Sequence, residues 1–394
     1  MMSNWHLALG YRYSGIVSKL RSEPDRKDLA LIVSDGPAAA AGVFTQNHVF
    51  AAPVQICRER LPANDIRAVV ICSGNANACT GEQGLRDAKR MTELVAQELG
   101  CQPEQVLVAS TGVIGRLLPM PILEAGIPLA VAGLAAGRES LHDAASAIMT
   151  TDTRIKVSTR KFGAYTMTGF AKGAAMIGPN MATMLGFIFT DAPLEADFLH
   201  RTLKTAAATT FNCISVEGHT STNDTVLALA NGAAGTTLSE HDREALAVEL
   251  HAVCADLARQ IAADAEGANH LITIDVEGCR SDAEARTIAK AIAESALVKT
   301  AVFGADPNWG RIVSAAGYCG VPFDQSQLSL WMGDMLLYRA GVPLPFDELT
   351  ASTYMRENKE VHFLLRFQLG TGKCRFYTCD LTTEYVKLNA DYTT

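Results

Sequence analysis

The chain reads as an α/β protein, on three observations. Four short apolar runs, 28–34 (DLALIVS), 67–72 (RAVVIC), 105–109 (QVLVA) and 225–230 (TVLALA), have the length and residue types of buried strands. Apolar residues also recur at helical spacing, at Leu85, Ala88, Met91, Leu94, Val95 and Leu99, and again at Leu246, Leu250, Val253, Leu257 and Ile261. Strand, helix, strand in alternation is the rhythm of an α/β fold. Finally, 48% apolar and 19% charged residues over 394 positions give the chain the means to bury a sizeable core.

Taken in order, 1–27 reads as an irregular lead-in. The strand 28–34 meets a small-residue turn at 36–42 (GPAAAAG), and 43–54 is expected to continue the sheet. The strand 67–72 runs into a loop rich in glycine and amides, 73–78. A helix over 85–99 stops at Gly100, a good residue for a left-handed cap. The strand 105–109 then ends in the loop 110–115, and a helix spans 138–149. A strand over 184–190 is uncharged and buried on both faces, and a helix follows at 195–209. Ser239 and Asp242 form the start of a capping box for a long helix that stops at Gly267. The strand 271–277 alternates, and Ser281 with Glu284 caps the next helix. The end of the chain is strand-rich at 327–332, 361–367 and 374–378. No linker or repeat interrupts it, so 1–320 reads as one α/β body and 321–394 as a smaller α+β segment.

Composition removes several classes of function. The net charge is −8 and no basic stripe is present, which argues against nucleic acid as a partner. The uncharged run 173–190 is long enough to suggest a membrane span. Pro179, Asn180, Thr183 and three glycines would leave polar groups unsatisfied in lipid, so no membrane association is expected. No secretory signal pattern opens the chain. Ten cysteines without a C-x-x-C pair, many inside apolar runs, fit buried free thiols in a reducing cytoplasm. Neither cysteine nor histidine spacing matches a zinc set. The glycine loops lack the spacing of a phosphate cradle.

The chemistry concentrates in five polar patches: 110–115 (STGVIG), 150–153 (TTDT), 172–183 (KGAAMIGPNMAT), 221–225 (STNDT) and 264–270 (DAEGANH). Four of the five contain threonine. Thr183 stands where a turn-rich loop enters an apolar strand, which suits either a hydrogen-bonded turn residue or a reactive hydroxyl. A threonine nucleophile needs a base and an oxyanion site. No G-x-S-x-G and no Ser-His-Asp order is present, which directs attention to chemistry in which a freed α-amine is the base.

These segments carry a resemblance. NANACTG, STGVIGR, IMTTDT, KGAAMIGPNMATML, STNDT, the AEGA around Glu266, ALVKTAVFGADPNWGR and the tail YVKLNADYTT resemble the ornithine acetyltransferases, also called glutamate N-acetyltransferases, in order from about residue 27 onward. The resemblance implies a layered sandwich of sheets flanked by helices, of the self-processing N-terminal-nucleophile-like kind. It implies cleavage at Ala182–Thr183 into halves 1–182 and 183–394 that stay together, two of each. Thr183 then takes an acetyl group from N2-acetylornithine and passes it to glutamate, in arginine biosynthesis, without a cofactor. Some members also use acetyl-CoA as a co-substrate. The resemblance assigns the oxyanion donors to the Thr111 hydroxyl and the Gly112 N–H. It assigns the substrate site to Thr150, Lys172, Thr183, Glu266, Asn389 and Thr394, which requires an ordered tail.

Read without the resemblance, Lys172 is a solvated lysine beside a core strand, Asp224 caps a turn or lines a pocket, and Asn308 and Trp309 are structural. Glu266, placed at the end of a long helix, meets the unfavourable end of its dipole, which favours a functional role. Several positions depart from the family pattern: Ala175 stands where glycine is usual, Asn269 and His270 replace threonine and lysine, and Phe376 and Tyr377 lie in a C-terminal strand where smaller residues are usual. These leave room for a paralogue acting on another N-acyl amino acid. A self-processing amidase or aminopeptidase would carry the same nucleophile, and a non-catalytic binding protein could keep the same fold.

Overall fold

In the computed structural model, residues 4–178, 184–235 and 237–391 are described. The expectations for Pro179, Asn180, Ala182, Thr183 and Thr394 lie outside them.

The first body holds an eight-stranded sheet. Its strands are β1 (Tyr11–Ile16), β2 (Leu29–Phe44), β3 (Ala63–Asn75), β4 (Val106–Val113), β5 (Lys156–Phe162), β6 (Tyr165–Lys172), β7 (Leu185–Thr190) and β8 (Thr225–Ala230). The order is β4-β3-β2-β8-β7-β6-β5, with β1 on β2. Strand β2 serves two neighbourhoods. Its first half, Leu29–Val33, pairs with β3, and its second, Ala39–Phe44, pairs with β8, with register shifts between. The period-2 alternation of side chains shows how the halves stack. Ala30 and Ile32 share one core with Leu227, Leu229, Phe187 and Phe170 from the other half. The two half-sheets therefore face each other.

Their outer faces are covered by helices. Leu29, Leu31 and Val33 pack with α2 (Gly81–Leu99) and α3 (Met120–Ala132). Val226, Ala228 and Ala230 pack with α5 (Ala196–Thr209) and α6 (Glu240–Ala262). Helix, sheet, sheet, helix is the layered sandwich expected. The short α1 (Ala52–Arg60) backs β4, and α4 (Arg138–Ala147) fills the gap beside β1.

The second body is a six-stranded sheet, β12-β11-β10-β13-β9-β14. It is made of β9 (Leu271–Cys279), β10 (Ser329–Met332), β11 (Met335–Arg339), β12 (Val342–Pro343), β13 (Glu360–Arg366) and β14 (Gly372–Cys379). Its core includes α7 (Asp282–Ala293), α8 (Ala296–Phe303), α9 (Trp309–Gly317) and α10 (Glu348–Glu357). The second unit thus begins at β9 rather than at 321, because β9 hydrogen-bonds to β13 and β14 and to no strand of the first sheet. A last helix, α11 (Thr383–Asp391), returns to the first body.

Further expectations change as well. The lead-in contains β1, whose buried Tyr11 and Tyr13 alternate with Arg12 and Ser14. The alanine run expected to turn instead continues β2, because small side chains suit the tight space between facing sheets. Residues 43–54 do not extend the sheet: β2 ends at Phe44, and Pro53 opens α1. The strand into 110–115 runs on to Val113, paired with β3. The β5–β6 hairpin and α3, α8, α9, α10 and α11 add elements that the apolar pattern did not announce. Trp309 stacks on Tyr338 in the second core, a structural position as expected.

Candidate active site

One cleft gathers four of the five polar patches and the tail. It encloses about 630 Å³ up to its open mouth and is lined by Thr111, Gly112, Thr150, Lys172, Glu266 and Asn389, among others. Six of the expected site residues thus meet although they come from β4, β6, two loops and α11. Ser221, Thr222 and Asn223 from the fifth patch complete the lining, so all five patches converge.

The two residues expected as oxyanion donors sit at the end of β4. Gly112 has φ +133°, and a Cβ there would stand 2.3 Å from the Gly74 carbonyl carbon on β3. Only glycine allows the two strand ends to approach so closely and turn the Gly112 backbone. Thr111 beside it is 4% exposed. The Lys172 ammonium donates to the Thr111 oxygen at 3.4 Å. That leaves the hydroxyl's own proton free to donate elsewhere.

Lys172 is not solvated but 2% exposed, at the end of β6. Burial lowers its pKa, while Asp152 and Asp224 pull it back toward the ammonium form. Asp152 is fixed from several sides. Its carboxylate accepts from the Gly173 N–H at 2.6 Å, the Thr150 N–H at 3.0 Å and the Lys156 ammonium at 2.7 Å. Burial pushes its carboxyl up, but Lys172, Lys156 and these bonds outweigh it and hold the pKa at about 2. Lys156, fully buried, also donates to Asp264 at 2.6 Å, and Asp264 accepts from the Thr153 N–H and hydroxyl. This Asp152–Lys156–Asp264 chain ties the 150–153 loop to the turn that carries Glu266. Lys156 was invisible in sequence, where it is one lysine in a polar hairpin; Asp152 and Asp264 lie in two of the polar patches.

Glu266 follows α6 rather than ending it: the helix stops at Ala262, so the dipole argument does not hold. Its N–H donates to the Ala174 carbonyl at 2.8 Å. Burial raises its pKa, opposed by Lys172 and by a hydrogen bond from Asn389. The adjacent Gly267 has φ +68°, and a Cβ there would meet the Tyr385 nitrogen at 2.6 Å. Thr382 donates to the Gly267 carbonyl at 2.6 Å. Helix α11 thus docks on the glycine beside Glu266, which brings Asn389 to the cleft.

On the opposite wall, the Asn223 amide donates to the carbonyls of Ala76 at 2.6 Å and Ser110 at 2.8 Å. This joins the 221–225 patch to the ends of β3 and β4. Asp224, 0% exposed, accepts from the Met184 N–H at 3.2 Å through one oxygen. Its other oxygen has no partner among the described residues. Burial raises its pKa well above the usual carboxylate range. Asp224 therefore lines neither an open pocket nor a turn cap; it faces the start of β7.

Of the departures from the family pattern, Ala175 lines the cleft. Asn269 and His270 are not among the described residues that line it: both N–H groups and the His270 ring bond to Asp380. Among the described residues there is no cluster of three or more histidine, cysteine or acidic side chains arranged for a metal ion. No helix among them is long and apolar enough to cross a membrane.

A layered α/β sandwich with a small cleft at its strand ends, where Lys172, Glu266 and several hydroxyls sit among apolar side chains, is the frame of an enzyme acting on small molecules. The model of the ArgJ family matches residues 12–394. The arginine biosynthesis bifunctional protein ArgJ of Geobacter sulfurreducens is 47% identical over 392 residues, covering 98% of this chain and 99% of its own. That of Symbiobacterium thermophilum is 50% identical over 377 residues, covering 94% of this chain and 93% of its own. The solved structure of the corresponding Bacillus halodurans protein, with a TM-score of 0.50 and 40% identity, covers 51% of this chain and 96% of that one. The chain belongs to the ArgJ family, the family of the ornithine acetyltransferases that its motifs resemble. It is an acyltransferase of arginine biosynthesis.

Proposed function

We propose that the chain moves an acetyl group from N2-acetylornithine to glutamate through an ester on Thr183, after cutting itself between Ala182 and Thr183. The observation that carries this reading is the cleft itself. On one side of the scissile bond Met176 lines the cleft, and on the other the Met184 N–H donates to Asp224, the residue after the lining Asn223. The Thr111–Gly112 corner supplies two donors on the same cavity. The half-length Bacillus halodurans match also fits a protein made of two pieces.

In this mechanism the Thr183 hydroxyl first attacks the Ala182 carbonyl carbon. The peptide C–N bond breaks as the ester forms, which frees the α-amine with a proton; water then hydrolyses the ester, releasing the Ala182 carboxylate and restoring the Thr183 hydroxyl. The neutral amine then takes the hydroxyl proton as the oxygen attacks the acetyl carbonyl of the donor. The Thr111 hydroxyl and the Gly112 N–H stabilise the oxyanion. Ornithine leaves with a proton, and the glutamate amine attacks the acetyl ester to release N-acetylglutamate. Lys172 orients Thr111 and offers its remaining protons to a substrate carboxylate. Glu266 and Asn389 receive the ornithine side-chain ammonium, and Thr150 and Thr394 complete the substrate site. No cofactor is required, and acetyl-CoA serves as a second acetyl donor. The halves 1–182 and 183–394 assemble as two of each in the cytoplasm.

Mass spectrometry of the purified protein tests this directly. Two fragments are expected, the second beginning at Thr183, and Thr183→Ala should give one inactive polypeptide. An uncleaved, active wild type would overturn the mechanism. Incubation with N2-acetylornithine separates transfer from hydrolysis: free acetate at the same rate with and without glutamate would make the enzyme an amidase.

A further inference from the structure

A second cavity, remote from the cleft, lies at the seam between the two bodies. It spans about 1180 Å³ including its open mouth, and both Cys213 and Cys374 line it. Cys213 ends the 3₁₀ turn Phe211–Cys213 after α5 and is 3% exposed. Cys374 lies on β14 and is partly exposed. Their sulfurs are 3.8 Å apart, although 161 positions separate them in the chain. Backbone pairing fixes this proximity. Ile214 bridges Tyr377 in parallel, and the Ser215 N–H donates to the Tyr377 carbonyl at 2.9 Å. The sulfurs need to close by about 1.8 Å to reach bonding distance, within the range of side-chain rotation.

We propose that Cys213 and Cys374 are a peroxide-sensitive thiol pair that closes to a disulfide stapling the two bodies together. The site is open to a small oxidant, and its lining mixes Arg286, Lys373 and Arg375 with Asp275, Glu277 and Asp282, Arg375 being paired with Asp275. The contact from Cys374 holds the Cys213 thiol below its ordinary pKa against burial, with the Arg286 guanidinium adding to the effect. The same contact, together with burial, pushes Cys374 up. The products are the same whichever of the two thiols is oxidised first; Cys213 serves here as the attacking thiolate.

The Cys213 thiolate attacks one oxygen of hydrogen peroxide. The O–O bond breaks, hydroxide leaves and takes a proton to become water, and Cys213 becomes a sulfenic acid. The Cys374 sulfur then attacks the Cys213 sulfur, the S–O bond breaks, and a second water departs as the S–S bond forms. Two thiols lose two electrons and two protons, and one peroxide becomes two waters. The bond would join the turn that leads to Ser221–Asn223 with the strand that leads to Asn389. Both segments end on the cleft wall. The pair stands on its own geometry and is independent of the Thr183 reading.

The test is peroxide treatment of the reduced wild-type protein, alkylation of the remaining thiols, and non-reducing peptide mapping. The expected result is a 213–374 cross-linked peptide pair that dithiothreitol releases. Free thiols titrated in denaturant should fall from ten to eight. Cys213→Ser and Cys374→Ser should each yield no such pair; if either fails to fold, the wild-type map alone decides. The proposal is overturned if both thiols stay alkylated at a dose that oxidises the exposed Cys79. It is also overturned if they oxidise singly to sulfinic acids.

Discussion

Thr111 and Gly112 show how little the donor corner depends on side-chain bulk. Thr111 brings a hydroxyl held by Lys172, and Gly112 a backbone conformation and a close approach to Gly74 that only glycine allows. Thr111→Val keeps the shape of the first and removes its proton. Its kcat should drop by on the order of 10²-fold, with KM changed less, in steady-state transfer assays. Asp224 and Glu217 are the other residues whose state is unusual. Both Glu217 carboxylate oxygens are buried without a hydrogen-bond partner among the described residues, and burial pushes its pKa up to about 7. The family resemblance pointed to Thr111, Gly112 and Lys172, which the structure brings to one cleft. Sequence inspection did not find Glu217, because a glutamate beside glycine and histidine carries no mark of burial.

At the scale of elements, the Asp152–Lys156–Asp264 chain joins two loops through the start of β5. A buried lysine between two carboxylates is costly to break from the middle, since removing it leaves both acids uncompensated. Lys156→Met should cost roughly 3–5 kcal/mol in urea unfolding, and it should raise KM because Thr150 and Glu266 lose their shared anchor. Helix α11 makes a different test. Ending the chain after Leu381 removes it and, with it, Asn389. The first body keeps its own core, so the truncated protein should fold while transfer activity falls at least tenfold, measured against circular dichroism of the same sample. Long helices such as α2 and α6 were legible because their apolar faces repeat over several turns. The β5–β6 hairpin was not, because its sequence alternates weakly and its burial comes from α6 and from the facing half-sheet.

For the whole molecule, stability should carry the imprint of Glu217. Its folded pKa lies above its unfolded one, so the folded state holds an extra proton between about pH 4.5 and 7. Stability from this group is present below the unfolded value and is lost as pH rises through about 7. Glu217→Gln should flatten that slope and leave the protein more stable above pH 7 by on the order of 2 kcal/mol, read from denaturant midpoints across pH. The chain's patterns by themselves determined the α/β class, most strands and long helices and the five polar patches, because each rests on local residue types and spacing; the family followed from the resemblance of its motifs. Tertiary structure decided that β2 bends to serve two facing half-sheets, that β9 belongs to the second body, and that the tail comes back to Gly267. It also decided that Lys172 is buried rather than solvated. These are long-range outcomes: they depend on which surfaces exclude water together, and no window of sequence contains both partners.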